Sequence, residues 1–290
     1  MFIATLIAAH LPQGEVSAAH DRLNAAGCLP VAQVWVEDGE ACDVQFGRDI
    51  AAARAALEGL GYDVVVQPTE HRRKKLIVAD MDSTMITVEC IDELADYAGI
   101  KAEVALVTEA AMRGEMDFGE ALDARVALLK GMDEAVIDRC LAERVKIMPG
   151  ASALIRTMRA NGATAILVSG GFTRFAQPVA REIGFTRAVA NVLEIAEGKL
   201  TGAVAKPIVD AATKFATLSE VMLQLGLARE ETLAVGDGAN DLAMITQAGL
   251  GVAYHAKPVV AEAAGARIDY GDLSALLFAQ GYARRDWVTA

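Results

Sequence analysis

Leu76-Ile77-Val78-Ala79-Asp80-Met81-Asp82-Ser83-Thr84 sets four apolar residues directly against two acids spaced i, i+2. Four apolar residues bounded by polar ones read as a short, fully buried strand of a sheet covered on both faces. Working outward, the same unit recurs. Residues 163–168, 188–192, 232–235 and 250–253 are short apolar runs separated by helical segments. Such alternation predicts an α/β fold, a doubly wound, mostly parallel sheet. Between the first two runs lies an insert over about 88–148, with helices expected near 90–99, 101–113, 118–130 and 134–145. It predicts a helical cap over one end of the sheet. Near 192–204, two apolar runs flank Ala196-Glu197-Gly198-Lys199, which is a hairpin signal.

On the N-terminal side the pattern differs. Residues 1–70 read as a small α+β unit with the order βαββαβ: strands at 2–8, 31–36, 42–46 and 62–66, and helices at 16–26 and 50–60, stopped by Gly27 and Gly61. The opening run MFIATLIAA has no basic residue before Arg22, so it reads as a buried strand and not a signal peptide. Gln67-Pro68-Thr69-Glu70 then breaks the pattern. His71-Arg72-Arg73-Lys74-Lys75 follows as a linker, expected to be a solvated approach to the next strand. Two units result, 1–70 and 76–290, the second carrying the cap.

Composition narrows the function. The 290 residues carry a net charge of -12, which disfavours nucleic-acid partners. No apolar run reaches the roughly 18 residues of a membrane span. Cys28, Cys42, Cys90 and Cys140 are scattered without a C-x-x-C spacing, which predicts reduced thiols and a cytoplasmic protein.

Chemistry concentrates at strand ends. Ligands of open α/β sheets bind at the carboxyl ends of strands, where Asp80 and Asp82 fall. A calcium loop also begins DxDxT, but it needs Gly at position six and Glu at twelve. Met85 and Ile91 stand there instead. Ser169-Gly170-Gly171 follows the run 163–168 and offers a hydroxyl and free backbone N–H groups, the means of holding an anion. Gly236-Asp237-Gly238-Ala239-Asn240-Asp241 follows 232–235, with glycines that let the backbone bring Asp237 beside the first acid pair. Lys214 sits early in a helix whose apolar stripe is expected at Phe215, Leu218, Met222 and Leu225, which places the lysine off that stripe. Each motif alone also has an ordinary structural meaning: a polar turn, a helix cap, a solvated lysine. Together they give clustered carboxylates that need a cation, and hard oxygen ligands suit Mg²⁺ bridging to a phosphate. An acid nucleophile that forms an aspartyl-phosphate is one way to divide a hard transfer into two steps.

In this order the motifs resemble those of the haloacid dehalogenase-like phosphatases. Over about 76–268, cap included, the chain resembles the phosphoserine phosphatase branch of that family. The resemblance implies Asp80 as nucleophile and Asp82 as general acid/base. It implies Mg²⁺ on Asp80, the Asp82 backbone carbonyl and Asp237. It implies phosphate contacts from Ser169, Gly170 and Lys214, with Gly238, Asn240 and Asp241 in support. The cap segment from Met112 through Phe118 to Arg125 resembles the serine-recognition helix, with Met112 and Phe118 shaping the pocket and Glu89 receiving the substrate ammonium. Phe118, Leu122, Arg125 and Leu129 share one helical face. An arginine there is costly unless an anion pairs with it, and a substrate carboxylate matches a guanidinium; the alternative is an arginine that snorkels out at the edge of the stripe. The expected activity is hydrolysis of O-phosphoserine, the last step of serine biosynthesis. A relative acting on another small phosphate monoester is the first rival. A signalling receiver module, which lacks a DxD and a cap, is the second. The N-terminal unit resembles small amino-acid-binding regulatory domains in pattern only, which leaves ligand binding, homodimer formation and simple packing open. Because the candidate residues are concentrated from Asp80 onward, that unit is expected to be separable from the chemistry.

Overall fold

The computed structural model describes residues 1–289, the side chain of Met112 excepted. The N-terminal strands and helices are β1 (Phe2–Ile7), α1 (Gln13–Ala25), β2 (Pro30–Glu37), β3 (Ala41–Phe46), α2 (Ile50–Ala56) and β4 (Asp63–Pro68). They form a four-stranded antiparallel sheet, β2-β3-β1-β4, with Phe2 opposite Phe46 on one side and Pro68 on the other. One sheet face packs on the two helices through Leu6, Val16, Leu23, Val44 and Phe46. Helix α2 ends at Ala56, short of Leu60, and Gly59 turns with positive φ. Only glycine adopts that conformation without strain.

The remainder runs β5 (Leu76–Ala79), α3 (Cys90–Ala98), α4 (Lys101–Met112), α5 (Phe118–Leu128), α6 (Ala135–Glu143), α7 (Ala151–Ala160), β6 (Thr164–Phe172), α8 (Thr173–Ile183), β7 (Arg187–Asn191), β8 (Leu193–Ala196), β9 (Lys199–Val204), α9 (Ala211–Gln224), β10 (Thr232–Gly236), α10 (Leu242–Gln247), β11 (Leu250–Tyr254), α11 (Pro258–Ala263), β12 (Ala266–Ile268) and α12 (Ala275–Ala279). Six strands form a parallel sheet, β12-β11-β10-β5-β6-β7. Along β5 the pleat sends Ile77 and Ala79 into the core on one face, and Leu76 and Val78 into the core on the other. The chain leaves β5 toward β6 and β7, then returns to β10, β11 and β12 on the far side. The order therefore reverses beside β5, and a crevice opens there at the strand ends.

Helices α3 to α6 make the cap. A capping box starts α5: Asp117 accepts from the Glu120 N–H at 2.8 Å, and Glu120 accepts from the Asp117 N–H at 3.0 Å. The hairpin β8–β9 forms as expected and extends the cap, since Gly131 N–H donates to Leu200 O at 2.8 Å and Leu200 N–H to Met132 O at 2.9 Å.

The basic run departs from expectation. Arg72 is not solvated: its two Nη groups donate to Asp43 at 2.7 Å each, and its other N–H groups reach Thr5 and the carbonyls of Phe278 and Ala279. Lys74 is buried, its Nζ on Glu230 O at 2.8 Å. The segment fastens the N-terminal sheet to α12. Gln67 adds a bond to Ala279 O, and the Asp63 carboxylate accepts from three successive N–H groups at 269–271. Ile7, Ala41 and Val65 lie in the same apolar core as β5 and α12.

Candidate active site

Asp80 follows β5 and Asp237 follows β10, so the two acids emerge from adjacent strands. After Asp80 the backbone folds back on itself, with Thr84, Met85 and Ile86 all donating to Met81 O. Ser83 accepts a left-handed φ of 56° in that bend, a conformation that costs a non-glycine residue of order 1 kcal/mol and tends to persist at functional sites. The bend brings Asp82 alongside; its Oδ1 accepts from the Cys90 N–H at 3.4 Å. It also aims the Ser83 hydroxyl at Glu89 Oε1, 2.7 Å away.

Lys214 contradicts the expected stripe. The buried face of α9 is Lys214, Thr217, Leu218 and Val221, while Phe215 and Leu225 are exposed. The lysine points inward because its charge is matched there: Nζ lies 2.6 Å from Asp80 Oδ1 and 2.6 Å from Asp241 Oδ1. Burial alone would push the ammonium down, but the two carboxylates outweigh it and hold the pKa above its ordinary value. Asp210 caps the helix from below, accepting from the Thr213 N–H at 2.8 Å.

Asp241 is wholly buried and also accepts from the Gly238 N–H at 3.1 Å. Burial and then Asp80 push its carboxyl up to about 7, against the pull of Lys214. Gly236 is a steric requirement here, because Asp241 is locked in place, whereas a Cβ on Gly238 would meet only the movable end of Asn240. A Cβ on Gly236 would stand 2.4 Å from the Asp241 carboxyl, and one on Gly238 would stand 2.3 Å from Asn240 Oδ1. Asp237 Oδ1 accepts from the Thr84 hydroxyl at 3.1 Å, and burial raises its pKa, with Asp80 adding to the rise. Carboxylate oxygens of Asp80, Asp237 and Asp241 lie within 4.8 Å of one another. Three acids that close, two of them with raised pKa, form a hard-oxygen donor set for a cation. Among the described residues Asp82 takes part in no such carboxylate cluster. Its carboxyl is pushed well above the usual range by burial, then by Glu89 and Asp80, which favours a protonated acid.

Ser169, Gly170 and Gly171 lie within β6, not at the start of α8. The Gly171 N–H turns back onto Ser169 Oγ at 2.8 Å, and Gly170 O accepts from Asn191 at 2.8 Å. A Cβ on Gly170 would come 3.0 Å from the Phe118 ring, so the cap closes directly on this motif. A cavity of about 320 Å³ lies between cap and sheet. Its floor holds Asp80, Asp82, Ser169, Gly170, Asp237, Gly238 and Asn240; its roof holds Glu89, Phe118 and Arg125. Lys214 and Asp241 sit beneath that floor. Arg125 is half-buried, with Nε on Ala121 O at 3.2 Å. Met112 falls outside the described side chains. Sequence reading missed Asp92, Thr108 and Lys257, which also line the cavity; the i, i+3 spacing from Glu89 was the available signal for Asp92. A larger cavity of about 480 Å³ lies between the α2–β4 region and residues 261–270, away from the acid cluster.

Comparison with known proteins gives a consistent family. The haloacid dehalogenase-like hydrolase family matches residues 77–246. A phosphoserine phosphatase of Streptomyces coelicolor is 45% identical over 239 residues, 82% of this chain and 58% of that protein. The chain thus spans little more than half the length of that relative. The crystal structure of a probable phosphoserine phosphatase from Vibrio cholerae is 33% identical, with a TM-score of 0.78 over 98% of this chain and 87% of that one. A phospho-aspartyl intermediate analogue of a phosphoserine phosphatase is 37% identical, with a TM-score of 0.65 over 71% and 98%.

Proposed function

The chain belongs to the haloacid dehalogenase-like hydrolases, and from that membership we propose that it is a magnesium-dependent phosphatase hydrolysing O-phosphoserine to serine and phosphate. One observation carries the reading: a single cavity has Asp80, Asp82 and Asp237 in its floor, with Lys214 beneath, and Arg125 and Glu89 in its roof. The floor suits a phosphate and a cation; the roof suits a carboxylate and an ammonium.

Asp80, Asp237 and the Asp82 backbone carbonyl would hold Mg²⁺, a fit supported by the close carboxylate oxygens and the raised pKa of Asp237. Bound there, the ion neutralises the carboxylates and draws charge from the phosphoryl oxygens. A carboxylate oxygen of Asp80 attacks phosphorus, and the bond from phosphorus to the serine oxygen breaks. Asp82, favoured as the neutral acid by its surroundings, gives that oxygen its proton. Asp82, now a carboxylate, then takes a proton from water as the water attacks phosphorus, and the Asp80–phosphorus bond breaks. Help of this kind contributes about 10²–10⁴-fold. Lys214 keeps one Asp80 oxygen fixed so that the other faces the cavity, and Ser169 and Gly170 border the phosphate. The relative seen with a phospho-aspartyl analogue supports the covalent step.

The same reading makes 1–70 an accessory unit and 76–290 the phosphatase, with its cap over about 88–148, working at the end of serine biosynthesis. Four unpaired, buried cysteines support a reducing compartment, the cytoplasm, and no helix of the described residues is long and apolar enough to cross a membrane. A homodimer is proposed on the resemblance of the N-terminal unit alone. The test is phosphate release from phosphorylated amino acids and sugars, with acid-quenched mass spectrometry after brief exposure to an activated phosphoryl donor. Asp82→Asn should be slow on phosphoserine yet carry label on Asp80, and Asp80→Asn should carry none. Turnover of the donor by wild type and Asp82→Asn with no label on Asp80 at any time would refute the mechanism. Preference for a sugar phosphate would refute the substrate.

A further inference from the structure

Charges in the roof of the cavity face one another without meeting. Arg125 on α5 spends its Nε on Ala121 O of its own helix and joins no ion pair among the described residues. Opposite, α3 presents two carboxylates at its start, Glu89 and Asp92, both lining the cavity. Residues three apart lie on one helix face. Glu89 already accepts the Ser83 hydroxyl on one oxygen. Asp92 is half-buried, and among the described residues its carboxylate accepts no hydrogen bond and joins no ion pair. Burial pushes the Arg125 guanidinium down, and of the carboxylates that oppose this, Asp92 acts more strongly than Glu89. Asp92 lines the same cavity as Arg125 and Glu89.

A substrate ammonium brings three N–H donors to that space. Glu89 already gives one acceptor site to Ser83, and a single carboxylate on one side of an ammonium cannot meet three N–H donors that diverge from one another. Resting on the phosphoserine reading, we propose that Asp92 is a specificity-determining residue, which with Glu89 forms a two-carboxylate receptor for the substrate ammonium while Arg125 takes the carboxylate. A zwitterion then fills the gap with each charge matched. A substrate with a hydroxyl in place of the ammonium leaves Glu89 and the half-buried Asp92 without a cation, so rejection of that substrate comes from Asp92 as much as from Glu89.

The experiment compares kcat/KM of the full chain and of Asp92→Asn on phosphoserine, on 3-phosphoglycerate, which carries a hydroxyl where phosphoserine carries its ammonium, and on p-nitrophenyl phosphate. The substitution keeps the shape and removes the charge. Wild type should prefer phosphoserine to 3-phosphoglycerate, and Asp92→Asn should shrink that preference about tenfold or more, the scale of one charge-assisted hydrogen bond. The loss should lie mainly in KM for phosphoserine and exceed the loss on p-nitrophenyl phosphate. Asp92→Glu should recover part of the preference. A wild-type preference that Asp92→Asn keeps, or equal losses on all three substrates, overturns the inference alone. A wild type with no preference overturns the substrate reading and this inference with it.

Discussion

Arg125→Ala separates recognition from chemistry. The side chain can be removed with little harm to the cap, because α5 is held by its capping box and by the buried Leu122, Val126 and Leu129. Among the described residues the substitution costs one hydrogen bond, to a carbonyl of the same helix. Its effect on a substrate carboxylate is larger. Removing one partner of a buried charged pair costs roughly 2–5 kcal/mol. Arg125 is only half-buried, so the lower part of that range applies, about 2–3 kcal/mol, or a loss of about 30- to 150-fold in kcat/KM. The assay is steady-state phosphate release on phosphoserine and on p-nitrophenyl phosphate, which has no carboxylate. The loss on phosphoserine should exceed that on the aryl ester by the same 30- to 150-fold. Thermal unfolding of the variant should match wild type within a few degrees. Equal losses on both substrates would mean that Arg125 supports the cap and does not read the substrate.

Excess chelator should abolish turnover, and added Mg²⁺ should restore it, because the close carboxylates of Asp80, Asp237 and Asp241 can meet a phosphate only with a cation between them; full activity in chelator would exclude the metal. Arg72→Ala should destabilise the fold by about 3–5 kcal/mol in urea titration, since it leaves Asp43 buried without its partner; a change under about 0.5 kcal/mol would refute the fastening role. Lys74 gives a pH test. Burial lowers its pKa to about 8, so between about pH 8 and its ordinary 10.5 the unfolded chain binds a proton that the folded chain does not. Its contribution to stability therefore rises with pH across that window, by up to roughly 3 kcal/mol. Lys74→Met should lack that increment, and parallel stability curves for variant and wild type would refute it.

What the sequence made legible has a physical pattern. The parallel sheet could be read because its central strands are apolar runs that stop at an acid or a glycine, as at Ala79–Asp80 and Val235–Gly236. The cap helices could be read from their periodicity. The three-residue β12 is too short to show alternation, and α12 is apolar at all five positions, so it carries no period at all. The apolar stripe alone puts Lys214 off the buried face, because its inward course depends on Asp80 and Asp241, which local hydrophobicity does not register. A charge run such as 71–75 predicts a solvated Arg72, because nothing local in the sequence marks its distant partners. Its partners come from 29 and 67 residues before it and more than 200 after.

That last separation bears on what the N-terminal sheet is for. The position of the candidate catalytic residues, concentrated from Asp80 onward, suggests a removable module. The contacts argue otherwise. The sheet puts Ile7, Ala41 and Val65 into the core that also contains Ile77, Leu276 and Phe278. Its Asp63 satisfies the N–H groups of 269–271, and Gln67 and Arg72 satisfy the carbonyls at 278–279. Buried backbone groups that lose such partners cost about 1–3 kcal/mol each unless water replaces them. The segment 269–282 also closes the rest of the chain, since Leu273 N–H donates to Pro149 O at the start of α7. Without the N-terminal sheet, α12 would expose apolar side chains and the N–H groups of 269–271 would lose their acceptor. The strand ends that carry Asp80 and Asp237 belong to a sheet whose support passes through α12, so the small unit contributes to the site by holding its scaffold, with no side chain of its own among those lining the cavity.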